Sequence, residues 1–331
     1  MLVKNQNEYE DLLGQWSDLE SGLAMLLLNP SSVQEFPKRV MQYDRWMQDL
    51  LQRDPDIGLY LLFQLATNSS VGYSTSHALV SAVLCHLLAA ELQLAPSERN
   101  SLVHAALTMN IAMTALQDQL ASQAERPSVQ QLEAIKWHTT KGSLMLANLG
   151  ITDSLWLDIV TMHHDEKTDQ GDLGTALPGY RLARVLRTVD RYAAMISPRQ
   201  SRSGRSTADS IRSLVSSNAN QAENLGHALI RVVGLHPPGT YVQLDSGAIA
   251  VVIRRSSMTN RPHVAVVIDE NSEALPRPRL YNTAQGGSGI QAALAASSRS
   301  STAGRSCIMR LRSTLLSTSP ITVAALDSPP A

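Results

Sequence analysis

From Ser74 to about Ser217 the apolar residues recur almost entirely at the three- and four-residue spacing of helices. Ser74-Thr75-Ser76 reads as the cap of a helix over 77–92, with Leu79, Val83, Leu87 and Ala90 on one face. Pro96-Ser97-Glu98 opens the next helix, through Leu102, Ala105, Ala106 and Met109. A polar break over 121–126 precedes Pro127-Ser128, which starts a helix carrying Leu132, Ile135 and His138, with Trp137 expected in the core. A further helix over 144–149 ends at Gly150, and another spans 155–164. Helices this amphipathic bury their stripes only against one another, so this part of the chain is expected to be a helical bundle.

Either side of that run the pattern changes. Residues 1–66 read as helices punctuated by Asn29-Pro30-Ser31-Ser32 and Asp54-Pro55-Asp56. They carry no catalytic constellation and are expected to be an accessory region that receives a signal or pairs with a second copy. Pro237-Pro238-Gly239 marks a switch to short β-branched runs, over 241–244, 248–254 and 263–269. The division expected is therefore 1–66 accessory helices, 67–235 helical domain, 236–282 small antiparallel β extension, and 283–331 a Ser, Ala, Gly and Arg-rich tail expected to be disordered. The fold class is mainly α with a small β appendage.

Composition excludes some functions. A net charge of -1 predicts no global attraction to a nucleic-acid polymer, and 4% aromatic residues provide no stacking platform for bases. No apolar run is read as a membrane span, and the N-terminus lacks a basic-then-apolar signal, so a cytoplasmic location without membrane attachment is expected. The two cysteines, Cys85 and Cys307, lie far apart, which fits a reducing compartment, and Cys85 is expected in the core.

The residues that carry chemistry cluster in the second half of the bundle. His163-His164-Asp165-Glu166 stands one helix upstream of Asp190, and His77 and His138 fall near helix starts and ends before it. Imidazole and carboxylate from separate helices of a bundle can converge on a divalent iron, manganese or zinc ion. Asp165 and Glu166 are either acids that orient the histidines or solvent-exposed acids. His86, His104, His227, His236 and His263 match no ligand position. Arg181, Arg184, Arg187 and Arg191 recur every three or four residues, and with Arg199, Arg202 and Arg205 they form either a clamp for phosphates or a solvated face.

In order and spacing these stretches resemble the HD-GYP family of the HD phosphohydrolase superfamily, over roughly residues 72–282. The matching segments are Ser76-His77-Ala78-Leu79-Val80, Ala105-Ala106-Leu107, Trp137-His138-Thr139-Thr140-Lys141-Gly142, His163-His164-Asp165, Ala183-Arg184 through Ala193-Ala194, and Ser197-Pro198-Arg199. Pro237-Pro238-Gly239-Thr240-Tyr241-Val242-Gln243-Leu244 is similar to the family's terminal β extension. The resemblance implies an HD-type bundle, cyclic di-GMP phosphodiesterase chemistry on two or three metals (iron or manganese), and metal ligands at His77, His138, His163, His164 and Asp190. On their spacing, and not on the resemblance, Arg184, Arg187, Arg191, Arg199 and Arg202 are the expected contacts to the phosphates of a cyclic dinucleotide or to an acidic partner.

The chain departs from that family where the chemistry is most demanding. Met109-Asn110 stands where the family carries its signature His-Asp pair, Met113 where it carries a phosphate-binding lysine, and Tyr73 where a glutamate ligand is frequent. The GYP loop after the histidine pair is missing. Two dications need an anionic bridge and an acidified water between them, and the bridging aspartate is absent. No catalytic residue is therefore assigned, and Met109 and Met113 are read as core filler. Two classes of function remain: an enzyme cleaving cyclic di-GMP or another phosphoester at a reduced metal site, or a catalytically degenerate signalling module acting by nucleotide or protein-partner binding. The Met109-Asn110 replacement favours the second.

Overall fold

The computed structural model describes residues 2–68, 71–165, 174–197, 200, 206–216, 222–258, 260–285 and 288–294. Three helices, α1 (Leu2–Leu28), α2 (Phe36–Arg53) and α3 (Pro55–Asn68), precede the bundle. The bundle is built from α4 (Tyr73–Glu91), α5 (Pro96–Thr108), α6 (Thr114–Ser122), α7 (Val129–Asn148), α8 (Ser154–Met162), α9 (Pro178–Ile196), α10 (Thr207–Ser216) and α11 (Ala222–Val233). Strands β1 (Tyr241–Leu244), β2 (Ile249–Arg254), β3 (His263–Ile268), β4 (Ala274–Asn282) and β5 (Ile290–Leu294) follow. The mainly helical bundle with a C-terminal antiparallel β unit is the expected fold class.

Helix α4 is the axis. Every residue from Ser74 to Cys85 is buried, polar ones included, so over that span the helix has no solvent face. Helices α1, α3, α5, α6, α9 and α11 pack around it. By length and hydropathy α4 is long and apolar enough to cross a membrane, contrary to the sequence reading that no run approaches a span, but 78% of its apolar window is buried inside the protein. Its N-terminus is not capped by Ser74-Thr75-Ser76, which lie within the first turn. Gly72 precedes the helix at φ +146°, and the Asp118 side chain of α6 accepts hydrogen bonds from Ser74 N at 2.7 Å and Ser74 Oγ at 2.9 Å. A carboxylate at a helix N-terminus satisfies backbone donors that the helix itself leaves free.

The N-terminal helices share this core. Trp16, Leu19 and Leu23 of α1, Met47 and Leu50 of α2, and Leu59 and Leu62 of α3 belong to the same buried cluster as Leu79, Leu102, Leu146 and Leu186. Cys85 and Met109 are also in it, as expected of core filler.

Helix α7 corrects two readings. It runs unbroken from Val129 to Asn148, where the sequence suggested two helices, because a Ser128–Gln131 capping box starts it and nothing interrupts it before Gly150. Gly150 takes φ +90°. On that helix Trp137 is 45% exposed instead of lying in the core. His138 takes the inward position, and a neighbour one residue away is turned about 100° round the axis.

The sheet has the order β4-β3-β2-β1-β5, antiparallel throughout. It is wider than the sequence suggested. Ile290–Leu294, within the segment expected to be a disordered tail, pairs with β1 as the outer strand; 295–331 lie outside the described residues. Alternation along β2 and β3 sorts the two faces. Ile249, Val251, Ile253, Ala265 and Val267 join the helical core, whereas Ala250, Val252, Val264 and Val266 close a second cluster with Val242 and Leu244.

Polar contacts lock the sheet to α3. Asp54 Oδ1 accepts from the backbone of Asp56 and Ile57, which caps α3, while its other oxygen pairs with Arg254 of β2. Arg255 Nε donates to Asp56 at 2.6 Å, and Gln64 Nε2 to Gly239 O at 2.8 Å. Gly239 sits at φ +90°, where an added Cβ would lie 2.7 Å from the Tyr60 carbonyl oxygen. Gly239→Ala is accordingly expected to cost about 1–3 kcal/mol, read as a lowered urea midpoint at unchanged slope. An unmoved midpoint would mean that the sheet docks loosely.

Candidate metal centre

Four helices, α4, α7, α8 and α9, carry the ligand candidates. His77 is in the second turn of α4, His138 in the middle of α7, and Asp190 in the second half of α9. Helix α8 stops at Met162, so His163 is its C-cap and His164 the next residue of the turn. Gly142 of α7 is buried against the Met109 carbonyl and Val160 of α8.

The structure groups the five candidates as three and two. One ring nitrogen from each of His138, His163 and His164 lies within 4.8 Å of the others, with the first two rings buried and the third exposed. Ring centroids are 5.3 Å apart for His138 and His163, 5.1 Å for His138 and His164, and 4.3 Å for His163 and His164. His77 and Asp190 instead meet each other, Nε2 to Oδ1, at 2.8 Å. Tyr73 stacks on the His77 ring at 5.6 Å with an interplanar angle of 13°.

Hydrogen bonding sets the form of two imidazoles. His138 Nδ1 faces Ile135 O at 2.6 Å, and His163 Nδ1 faces Val160 O at 2.8 Å. A carbonyl only accepts, so each Nδ1 carries the proton and each Nε2 keeps its lone pair. Both Nε2 atoms are buried without a hydrogen-bond partner. Burial, with the charge of His164 adding to it, pushes His163 down to about 3, and burial lowers His138 as well. Neutral rings with outward lone pairs, oriented by a carbonyl on the opposite nitrogen, are the form in which histidine binds a metal. On that observation the residues fit a divalent ion.

Asp190 is held anionic. Burial would raise its carboxyl, but the His77 hydrogen bond and charge, with His164 and His163 nearby, outweigh that and hold it well below the usual carboxylate range. The signature position supplies nothing comparable: Met109 is 1% exposed and part of the apolar core.

The arginine stripe of α9 is not one exposed face. Arg181 pairs with Glu98, Arg184 is only 3% exposed, Arg187 donates to Asp165 O at 3.4 Å, and Arg191 is exposed. Arg187 thus lies beside the histidine turn. Arg199, Arg202, Arg205 and Glu166 fall outside the described residues. The sequence reading missed Asp118, whose anchoring of α4 fixes where His77 sits. Its partner is 44 residues away, and no local pattern announces it.

No family model matches the chain. A curated cyclic di-GMP phosphodiesterase of Pseudomonas aeruginosa (strain PAO1) is 28% identical to it over 229 residues, 66% of this chain and 53% of the relative. The chain therefore spans about half the length of that relative. Among solved structures, an HDG"Y"P protein from Bdellovibrio bacteriovorus aligns with a TM-score of 0.49 and 14% identity, covering 69% of this chain and 72% of the other. In sequence the chain is thus similar to a cyclic di-GMP phosphodiesterase, and the order of its histidines and Asp190 resembles that of the HD-GYP family.

Proposed function

We propose that this protein is a cyclic di-GMP signalling module that binds the nucleotide, or a related phosphoester, without hydrolysing it at a useful rate. The observation that carries this reading is Met109, a thioether buried in the apolar core where the family's signature imidazole would stand. The Asn110 amide beside it leaves no bridging carboxylate at that position. Bridged-ion hydrolysis needs such a group to hold two dications and acidify the water between them. The histidines would hold a divalent ion, iron or manganese by family likeness, and such an ion supplies Lewis acidity to a phosphoester oxygen. Arg187 and Arg191 would receive phosphate oxygens, together with Arg199 and Arg202 from the neighbouring segment. Protein partners, or a second copy of the chain, would read the state through α1–α3.

A second reading, a metal-dependent phosphodiesterase working at a reduced site, draws on the unpartnered Nε2 atoms of His138 and His163. One experiment separates the two. The purified protein, prepared anaerobically with ferrous iron or manganese, is titrated with cyclic di-GMP and assayed for linear product, with His163→Ala alongside. Binding without product is the expected result, with Arg187→Ala weakening binding about tenfold, the loss of one charge-assisted contact. Product that disappears in His163→Ala would sink the non-hydrolytic reading.

A further inference from the structure

One side of helix α7 faces solvent and is apolar. The helix packs against α8 and the short turn Ile111–Met113, and its buried residues are His138, Gly142 and Leu146. On the outer side Val129 is 77% exposed, Leu132 53% and Leu144 63%, and Trp137 stands with them. Four large apolar side chains along one surface helix exceed scattered exposure, and a continuous patch of this kind marks an interaction site. We propose that this face pairs with the same face of a second copy of the chain, antiparallel, about a two-fold axis at Trp137. The surface is distinct from α1–α3, and it leaves His138 on the inward side of the helix.

Charge chooses the occupant. Glu133 stands four residues before Trp137 and Lys141 four after it, and both are exposed. At 3.6 residues per turn the three form one inclined row on the helix surface. Rows at this spacing are the ridges by which helices most commonly pack. Laid against its own reverse, the row matches itself: Trp137 meets Trp137, and Glu133 of each copy comes opposite Lys141 of the other. A parallel pairing would instead set like charge on like charge.

The apolar residues follow the same inversion. Val129 lies eight residues before Trp137 and Leu144 seven after it, so Val129 of one copy falls beside Leu144 of the other. A closed two-fold interface uses one surface twice and needs this self-complementarity. An anionic lipid surface is a poorer match, because Glu133 sits within the face. The 20 residues of α7 make about 30 Å of helix, less than a standard interface, so the expected dimer is weak, in the micromolar range.

Sedimentation equilibrium of the full-length chain tests this by charge exchange. The wild-type mass should rise with concentration from 36.0 kDa toward twice that value. Trp137→Ala, Glu133→Lys and Lys141→Glu should each weaken dimerisation at least about tenfold, with unchanged far-ultraviolet circular dichroism because all three positions are exposed. Mixing Glu133→Lys with Lys141→Glu should restore the dimer, since each variant then offers the charge that the other faces. A wild-type chain that stays monomeric, a dimer that these variants leave intact, or a mixture that fails to reassociate would each overturn the proposal. So would a monomeric chain that sediments with phosphatidylserine vesicles, which would assign the face to lipid.

Discussion

Replacing Arg99 with alanine is expected to lower the unfolding free energy by about 3–5 kcal/mol, the cost of leaving a buried charge without its partner. The charge is Asp44 of α2, whose side chain is almost fully buried. Arg99 of α5 grips both of its oxygens, at 2.5 and 2.6 Å, and His104 Nε2 reaches the same carboxylate at 3.1 Å. Arg99 Nε also donates to His86 Nδ1 of α4 at 2.9 Å. Burial alone would raise the Asp44 carboxyl, but the hydrogen bonds from His104 and Arg99 outweigh it and hold the group ionised. Urea titration of Arg99→Ala beside the double variant Asp44→Leu with Arg99→Met checks the mechanism. The double variant should recover much of the loss, because an apolar pair of similar volume leaves no charge stranded. A loss below about 1 kcal/mol in the single variant would place the pair among weak, solvated contacts.

Mild acid should destabilise the metal-free protein over a defined window. Burial pushes His86 down to about 4 and His236 to about 4, with Arg99 and Arg212 respectively adding to the effect, and His163 falls to about 3. A histidine with an unfolded value near 6.5 and a lower folded value binds its proton preferentially in the unfolded chain. Stability is therefore fully present above about pH 6.5 and is lost as pH falls toward about 4, by several kcal/mol in all. The depressed carboxyls Asp44 and Asp190 act lower, their contribution being present above about pH 4 and lost below it. Chemical denaturation from about pH 7.5 to about pH 4.5 reads the first window. A flat profile there would mean that these rings are hydrated in the folded state.

Much of this architecture is legible along the chain because it depends on period and punctuation. The recurrence of Leu79, Val83, Leu102, Ala105 and Ala106 dictates helices, and Pro237-Pro238-Gly239 dictates the change to strands. The order of His77, His138, His163, His164 and Asp190, and the loss of the signature at Met109-Asn110, are likewise properties of the sequence alone. Periodicity states which residues share a helix face but not what that face meets. Hence Arg184 and Arg191 belong to one stripe, yet the first is buried and the second exposed, and Trp137 turns outward while its neighbour His138 turns in. Strand β5 escaped notice because Ile290–Leu294 is short and amid small residues, so its order comes from pairing with β1, some fifty residues earlier. Only the tertiary structure decided that His77 meets Asp190, 113 residues away, and that three imidazoles converge. Those partners are chosen by how α4, α7, α8 and α9 pack, and packing depends on side chains that are distant in the chain and adjacent in space.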